Sequence, residues 1–416
     1  MPKLFLVNIS ILFLILGSSI SGNAQSERQI AKKLMYDGDA KIRGFDFEGA
    51  LINYSSAIST DPTYADAYMK RASLLQKLGR PTQAINDYDK AIKLNPYVEY
   101  LYDERAKLKI LLDDYKGALS DFNTAVQICP GNEDLIRKSA EAKYSTADFV
   151  NALEDYNYVL KENPFDTVAL IGRALTYLKV CESNNALDDI GKLIEFAPQY
   201  SPAYNVEGLA YIETGEYERA LTSFNTAIGI DPYNSSTYFN RGYLHYLLGN
   251  SKEAVNDFTQ AIENDSAYTI AYFNRAIAKK QMGDNEGAIK DYNQALKYSD
   301  GFSAAFFNRG IAKKILGDFV GALNDYDLAI AENPNDPNIY NARGNIKVFN
   351  RQYSEAIQDF TEAIRLDPNY AEAYYNRGMA QIFEGRTDSG CDDLYRAEDF
   401  GLEKATIKIE YFCYSK

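Results

Sequence analysis

Tryptophan is absent from the 416 residues, histidine occurs once, as His245, and cysteine four times. A single histidine excludes most metal sites and imidazole-based acid–base catalysis. Four cysteines are too few for a disulfide scaffold or a protein with several zinc sites. Proline stands at only 12 positions and hydrophobic residues make up 46% of the chain, so disordered and fibrous classes are excluded. Cations are in deficit: 44 Lys and Arg face 58 Asp and Glu, a net charge of −14. A nucleic-acid binder needs cations to displace phosphate counterions, so that class is disfavoured. A glycine-rich phosphate loop, a Ser–His–Asp arrangement and a CxxC pair are also missing. Aromatic usage is lopsided, with 34 Tyr beside 21 Phe. It points to something repeated.

The first two dozen residues read as an address. Lys3 precedes the apolar run Leu4–Leu16, broken only by Asn8 and Ser10, and small residues follow as far as Ala24. That layout is expected of a secretory signal peptide, residues 1–24, cut after Ala24. The alternative is an uncleaved anchor, but the run is short of the roughly 20 residues that span a bilayer. The mature chain is then exported, periplasmic or secreted, with no membrane span, and in a compartment where disulfides form.

Internal periodicity decides the fold. Pro62, Pro96, Pro130, Pro164, Pro198, Pro232, Pro334 and Pro368 keep step with a 34-residue spacing, and Ser266 and Asp300 stand on the two missing beats. With that proline at position 32, eleven repeats run from Ala31 to Lys404. Position 8 is always Gly or Ala, position 20 is Ala up to Ala356 and then Gly390, and position 24 is Tyr or Phe in nine repeats. Apolar residues at 4, 7/8 and 11, then at 20/21, 24 and 27/28, have helical spacing and give two amphipathic helices per repeat. Gly79, Gly215, Gly249, Gly283, Gly317 and Gly385 mark the turn between them. Proline at 32 ends the second helix, having no N–H to continue it. The expected fold class is all-α.

Segments such as AYFNRAIAKKQMGDNEGAIKDYNQAL, from Ala271, and AYYNRGMAQIFEG, from Ala373, resemble the tetratricopeptide repeat family. Tyrosine stands at position 4 in place of the family's usual tryptophan. The resemblance covers about Ala31 to Lys404. It implies a right-handed superhelical solenoid of about eleven helix-turn-helix repeats whose first helices line a concave groove. It also implies a protein-binding role without catalysis. Repeats four and five depart most, with Ile136 and Leu170 at position 4, Ile190 at 24, and Val159 and Leu193 at 27. Arrays of this kind need polar caps, and residues 405–416 are expected to form the C-terminal cap helix. Some family members clamp acidic C-termini with Lys and Asn. The chain has Asn240, Asn274, Asn308 and Asn376 at position 6, but the lysines that complete such a clamp are missing. No chaperone carboxylate clamp is expected.

Catalysis by this chain is not expected, and neither a metal nor a cofactor. Carboxylates on such helices are far more often solvated faces than acid–base pairs. His245, at position 11, reads as packing. Arginine stands at position 7 in eight repeats, from Arg71 to Arg377, and each of these has aspartate at position 23. The two positions lie level in a hairpin, so an Arg–Asp pair inside each repeat is expected. Cys391 and Cys413 are expected to form a disulfide that holds the cap, whereas Cys129 and Cys181 are too far apart to pair.

Positions 2, 5, 9 and 12 of the first helices point into the groove. They are polar in repeats two to four and turn apolar from repeat five. Ile171 and Leu175 are followed by Leu209 and Ile212, then Phe239, Tyr243 and Tyr246, then Phe273 and Ile277, then Phe307 and Ile311. Asn338, Asn341 and Asn345 restore polarity. This stripe is either core, buried between neighbouring first helices, or a trough for an amphipathic helix or extended peptide. The functional expectation is an exported, non-catalytic scaffold that binds a protein or peptide there. The alternative is a non-protein envelope ligand, a glycan or lipid.

Overall fold

The computed structural model describes residues 25–299 and 301–414. The expected signal peptide, 1–24, lies outside the described residues, as do Asp300 and the last two residues of the expected cap. Every described element is a helix or a turn. A first helix over 25–43 and a second over Phe47–Thr60 form the first hairpin. From repeat two onward the first helix takes positions 1–13 and the second positions 17–30, as in Ala65–Lys77 with Pro81–Leu94, or Ser235–Leu247 with Ser251–Asn264. Repeat eleven ends one residue early, at Asp399, and a short helix, Lys404–Phe412, follows it. The hairpins divide into two compact units, one running to Pro198 and the other from Gln199. Repeats one to five belong to the first and repeats six to eleven to the second.

Local chemistry fixes each hairpin. Position 15 has positive φ throughout: six times it is glycine, and elsewhere Phe45, Asp113, Ala147, Cys181 and Arg351 adopt φ near 60°. Position 16 caps the second helix, with Asp46, Asp114, Asp284 and Asp318 accepting from the N–H three residues on. Ahead of position 32, residues such as Asp61, Asp231 and Asp367 accept from the N–H two residues later and close the turn between repeats. Small residues at 8, 20 and 27 let the two backbones approach, and the aromatic at 24 fills the space beside them, fully buried in Tyr88, Phe224, Phe258 and Tyr326. Gly310 shows why position 8 stays small: an added Cβ would lie 2.6 Å from Tyr326 Cε1.

The Arg–Asp pairs form in all eight repeats. Nε and Nη2 each donate to one carboxylate oxygen of the position-23 aspartate, over 2.6–3.0 Å. Two partners were not foreseen. Nη1 reaches back to position 25 of the preceding repeat, to Asn225 from Arg241 and to Asn293 from Arg309. Lysine at position 11 joins the same aspartate, as Lys279 to Asp291 and Lys313 to Asp325. The guanidinium also lies over the aromatic at position 4, with Arg275 5.5 Å from the Tyr272 centroid. One side chain thus joins both helices of its repeat to the repeat before. Repeat four lacks the arginine, and Lys143 takes up Asp155 instead.

At the C-terminus the sulfurs of Cys391 and Cys413 are bonded, with Cα atoms 5.8 Å apart. They tie the second helix of repeat eleven to the end of the terminal helix. Cys129 and Cys181 are free thiols. At the other end, the first helix begins before Ala31, and Arg28 pairs with Asp61 at 2.6 Å while covering the Tyr64 ring.

Candidate functional site

The two compact units present their first-helix faces separately. In the first, repeats two to four are polar and laced with ion pairs: Lys107 meets Asp103 and Glu104, Lys138 meets Asp103 and Asp134, and Arg137 meets Asp134 and Glu141. Ile171 and Leu175, in repeat five, are half-buried.

In the second unit the face runs over repeats six to nine. Successive first helices touch directly there, six against seven, seven against eight and eight against nine. Leu209, Ile212, Phe239, Tyr246, Phe273, Ile277, Phe307 and Ile311 are all half-buried, and Tyr243 is 41% exposed. The half-burial has a specific cause. Position 5 leans on the aromatic at position 24, with Phe239–Phe258, Phe273–Tyr292 and Phe307–Tyr326 centroids 5.6–5.8 Å apart. It also meets position 34, as Phe273 against Phe302 at 4.7 Å. Ile277 packs on the Tyr292 cluster and Ile311 on the Tyr326 cluster. The stripe is therefore the outer shell of the core, and its outward edge is the apolar surface of this face. Ile270, at position 2, is 39% exposed beside it.

Polar groups cross the seams between first helices. Asn240 donates to Asn205 at 3.0 Å, Lys280 to Asn308 at 2.8 Å and Asn376 to Asn341 at 2.9 Å. Position 6 of one repeat thus meets position 5 or 12 of its neighbour, a register visible only once the helices are stacked. Burial pushes the Lys280 ammonium below the usual lysine range. His245 stands where other repeats place the position-11 lysine, its Nε2 3.9 Å from Asp257 Oδ2. It therefore belongs to the structural ladder. Among the described residues no group of three or more His, Cys, Asp or Glu side chains could hold a metal ion. No described helix is long and apolar enough to cross a membrane.

Comparison with known proteins bears on the repeats themselves. Models described as tetratricopeptide repeat match residues 65–97, 235–268 and 273–337, and one described as TPR repeat matches 208–249 and 352–382. Over these segments the hairpins match the tetratricopeptide repeat. The matched segments leave out repeats one and three to five, of which four and five depart from pattern at positions 4, 24 and 27. Among curated proteins none matches the chain. Solved structures of similar fold include yeast Tom70, 17% identical over 92% of this chain and 95% of that one, TM-score 0.41. The Cut9–Hcn1 hetero-tetramer of APC/C is 11% identical over 90% of this chain and 96% of that one, TM-score 0.46. A tetratricopeptide repeat protein from Parabacteroides merdae is 21% identical over 56% of this chain and 93% of that one, TM-score 0.43. Scores below 0.5 add nothing to the architecture, which stands on the hairpins and the family matches.

Proposed function

We propose that the chain is an exported, non-catalytic scaffold that takes a protein or peptide segment on the first-helix face of repeats six to nine. The observation behind this reading is the unbroken apolar position 9 along that face, Leu209, Tyr243, Ile277 and Ile311, which is half-buried from below and still open outward. Apolar surface lined up across successive helices suits an amphipathic helix or an extended strand better than it suits water. The reading is confined to the second compact unit. Export rests on the composition of residues 3–24. N-terminal sequencing of the protein from the exported fraction tests it, with Gln25 expected first.

The binding test follows from burial. Asp at Ile277 would unfold its own support, because that side chain packs on Tyr292. Tyr243→Asp and Ile270→Asp change the exposed edge instead. Co-purification from the exported fraction is expected to yield a stoichiometric protein with the wild type and to lose it with the double variant, at an unchanged melting temperature. Retention of the protein partner by the double variant, or co-purifying glycan or lipid in its place, would reject the reading.

A further inference from the structure

The charge on this face differs from that of the chain. The net charge is −14, yet the first helices of repeats seven to ten contain no aspartate or glutamate. Their arginines bind the position-23 aspartates, and Lys279, Lys313 and Lys347 bind Asp291, Asp325 and Asp359 within 2.9 Å. Two cations remain, Lys280 and Lys314, both at position 12. Lys280 donates to the neutral Asn308, whose amide is held by a bond to the Ala304 carbonyl, and neither lysine has a carboxylate within 4 Å among the described residues. Both are half-buried beside Ile277 and Ile311. A half-desolvated ammonium without a counter-ion is an unfavourable arrangement unless an anion arrives.

A second observation marks the same two repeats. In repeats one and two the position-24 tyrosine hydroxyl donates to the first-helix face of its own repeat, Tyr54 to Asp39 at position 9 and Tyr88 to Gln76 at position 12. In repeats eight and nine those positions hold Ile277 and Lys280, then Ile311 and Lys314, none of which can accept a hydrogen bond. The hydroxyls of Tyr292 and Tyr326 are accordingly buried and unpartnered. Each of two successive repeats thus combines an unpaired cation and an unsatisfied hydroxyl with an apolar neighbour.

We infer that Lys280 and Lys314, in the two repeats whose Tyr292 and Tyr326 hydroxyls lack a partner, receive two side-chain carboxylates of an apolar peptide segment. This rests on the proposed peptide-binding face and names the chemistry of its occupant. Packed helices lie about 8–10 Å apart, and a polyproline II chain rises about 3.1 Å per residue with three residues per turn, so carboxylates three residues apart share one side and match successive repeats. The site reads acidic side chains within an apolar segment, with one Lys–Tyr set per repeat.

Three fluorescein-labelled dodecapeptides of one apolar pattern, bearing two Glu, two Gln or two Lys three residues apart, provide the probe. Anisotropy titration of the full exported chain is expected to show the Glu peptide binding about tenfold more tightly than the Gln peptide, as a charge-assisted bond does over a neutral one, and the Lys peptide most weakly. The Glu preference should shrink with added salt, vanish in the K280M/K314M variant and weaken in Y292F/Y326F. Equal binding of the Glu and Gln peptides would overturn the inference while leaving the face as a peptide site. Failure of all three to bind would remove the face itself and the inference with it. Lysine-dependent sedimentation with phosphatidylglycerol vesicles, without peptide binding, would assign the cations to lipid and overturn the inference.

Discussion

Asp325 is 1% exposed and accepts from both Arg309 and Lys313, so its carboxylate is held from two sides. Asp325→Ala leaves two cations facing each other in a half-buried site, and a loss of about 3 kcal/mol is expected from such an orphaned pair. Chemical denaturation measures it, and adding Arg309→Met should restore part of the loss because one of the two cations is then gone. Tyr326 carries a different cost. Burial pushes its phenol up to about 12, against the usual 10.0. The unfolded chain therefore ionises first, so the contribution is intact below pH 10 and is lost as the pH rises from 10 to 12. Tyr326→Phe should remove that alkaline sensitivity and stabilise the fold by about 1 kcal/mol at pH 7, since an unsatisfied buried hydroxyl disappears. A variant less stable than wild type would show that the hydroxyl has a partner in solution. The Arg–Asp pairs were legible in sequence because both residues recur at fixed positions. The partner at position 25 varies among Ser, Thr, Asn and Asp, and no single residue type announced it.

At the level of the hairpin, the turn carries the strain. Ala147 and Cys181 hold φ near 60° where six other repeats use glycine, a conformation that costs an L-residue about 1 kcal/mol or more. Ala147→Gly should stabilise repeat four by somewhat less than that, because glycine also frees the unfolded chain. Hydrogen exchange over residues 133–162 is the measurement, and faster exchange in the variant would contradict the account. Only glycine advertises a left-handed turn, which is why Phe45, Asp113, Ala147, Cys181 and Arg351 did not reveal the same geometry in sequence. The ends of the second helices were legible wherever proline holds position 32, and the small residues at 8 and 20 kept the register in every repeat. The last hairpin depends on its cross-link. Cys413→Ser opens a loop of 22 residues, and chain entropy puts the loss near 3 kcal/mol. It should appear as fast exchange confined to residues 387–412.

For the whole chain, sequence disclosed the array, the register and the change of character on the first-helix face. It left open whether the apolar stripe is core or surface, and the structure answers with both: Phe273 leans on Tyr292 and Phe302 while Tyr243 and Ile270 stay open. The same 34-residue pattern serves either purpose, so periodicity could not separate them. The division after Pro198 was not announced in the sequence, because the 34-residue pattern runs across it without a linker. The central claim is that the face of repeats six to nine is where a protein binds. A photo-crosslinking residue placed at Tyr243, and in a second variant at the exposed Glu263 on the second helix of repeat seven, tests it in the exported fraction. The account predicts one dominant protein adduct from position 243, mapped by mass spectrometry to a segment of apolar and acidic residues, and little from position 263. Equal adducts from both positions, or a strong adduct from 263 alone, would contradict it.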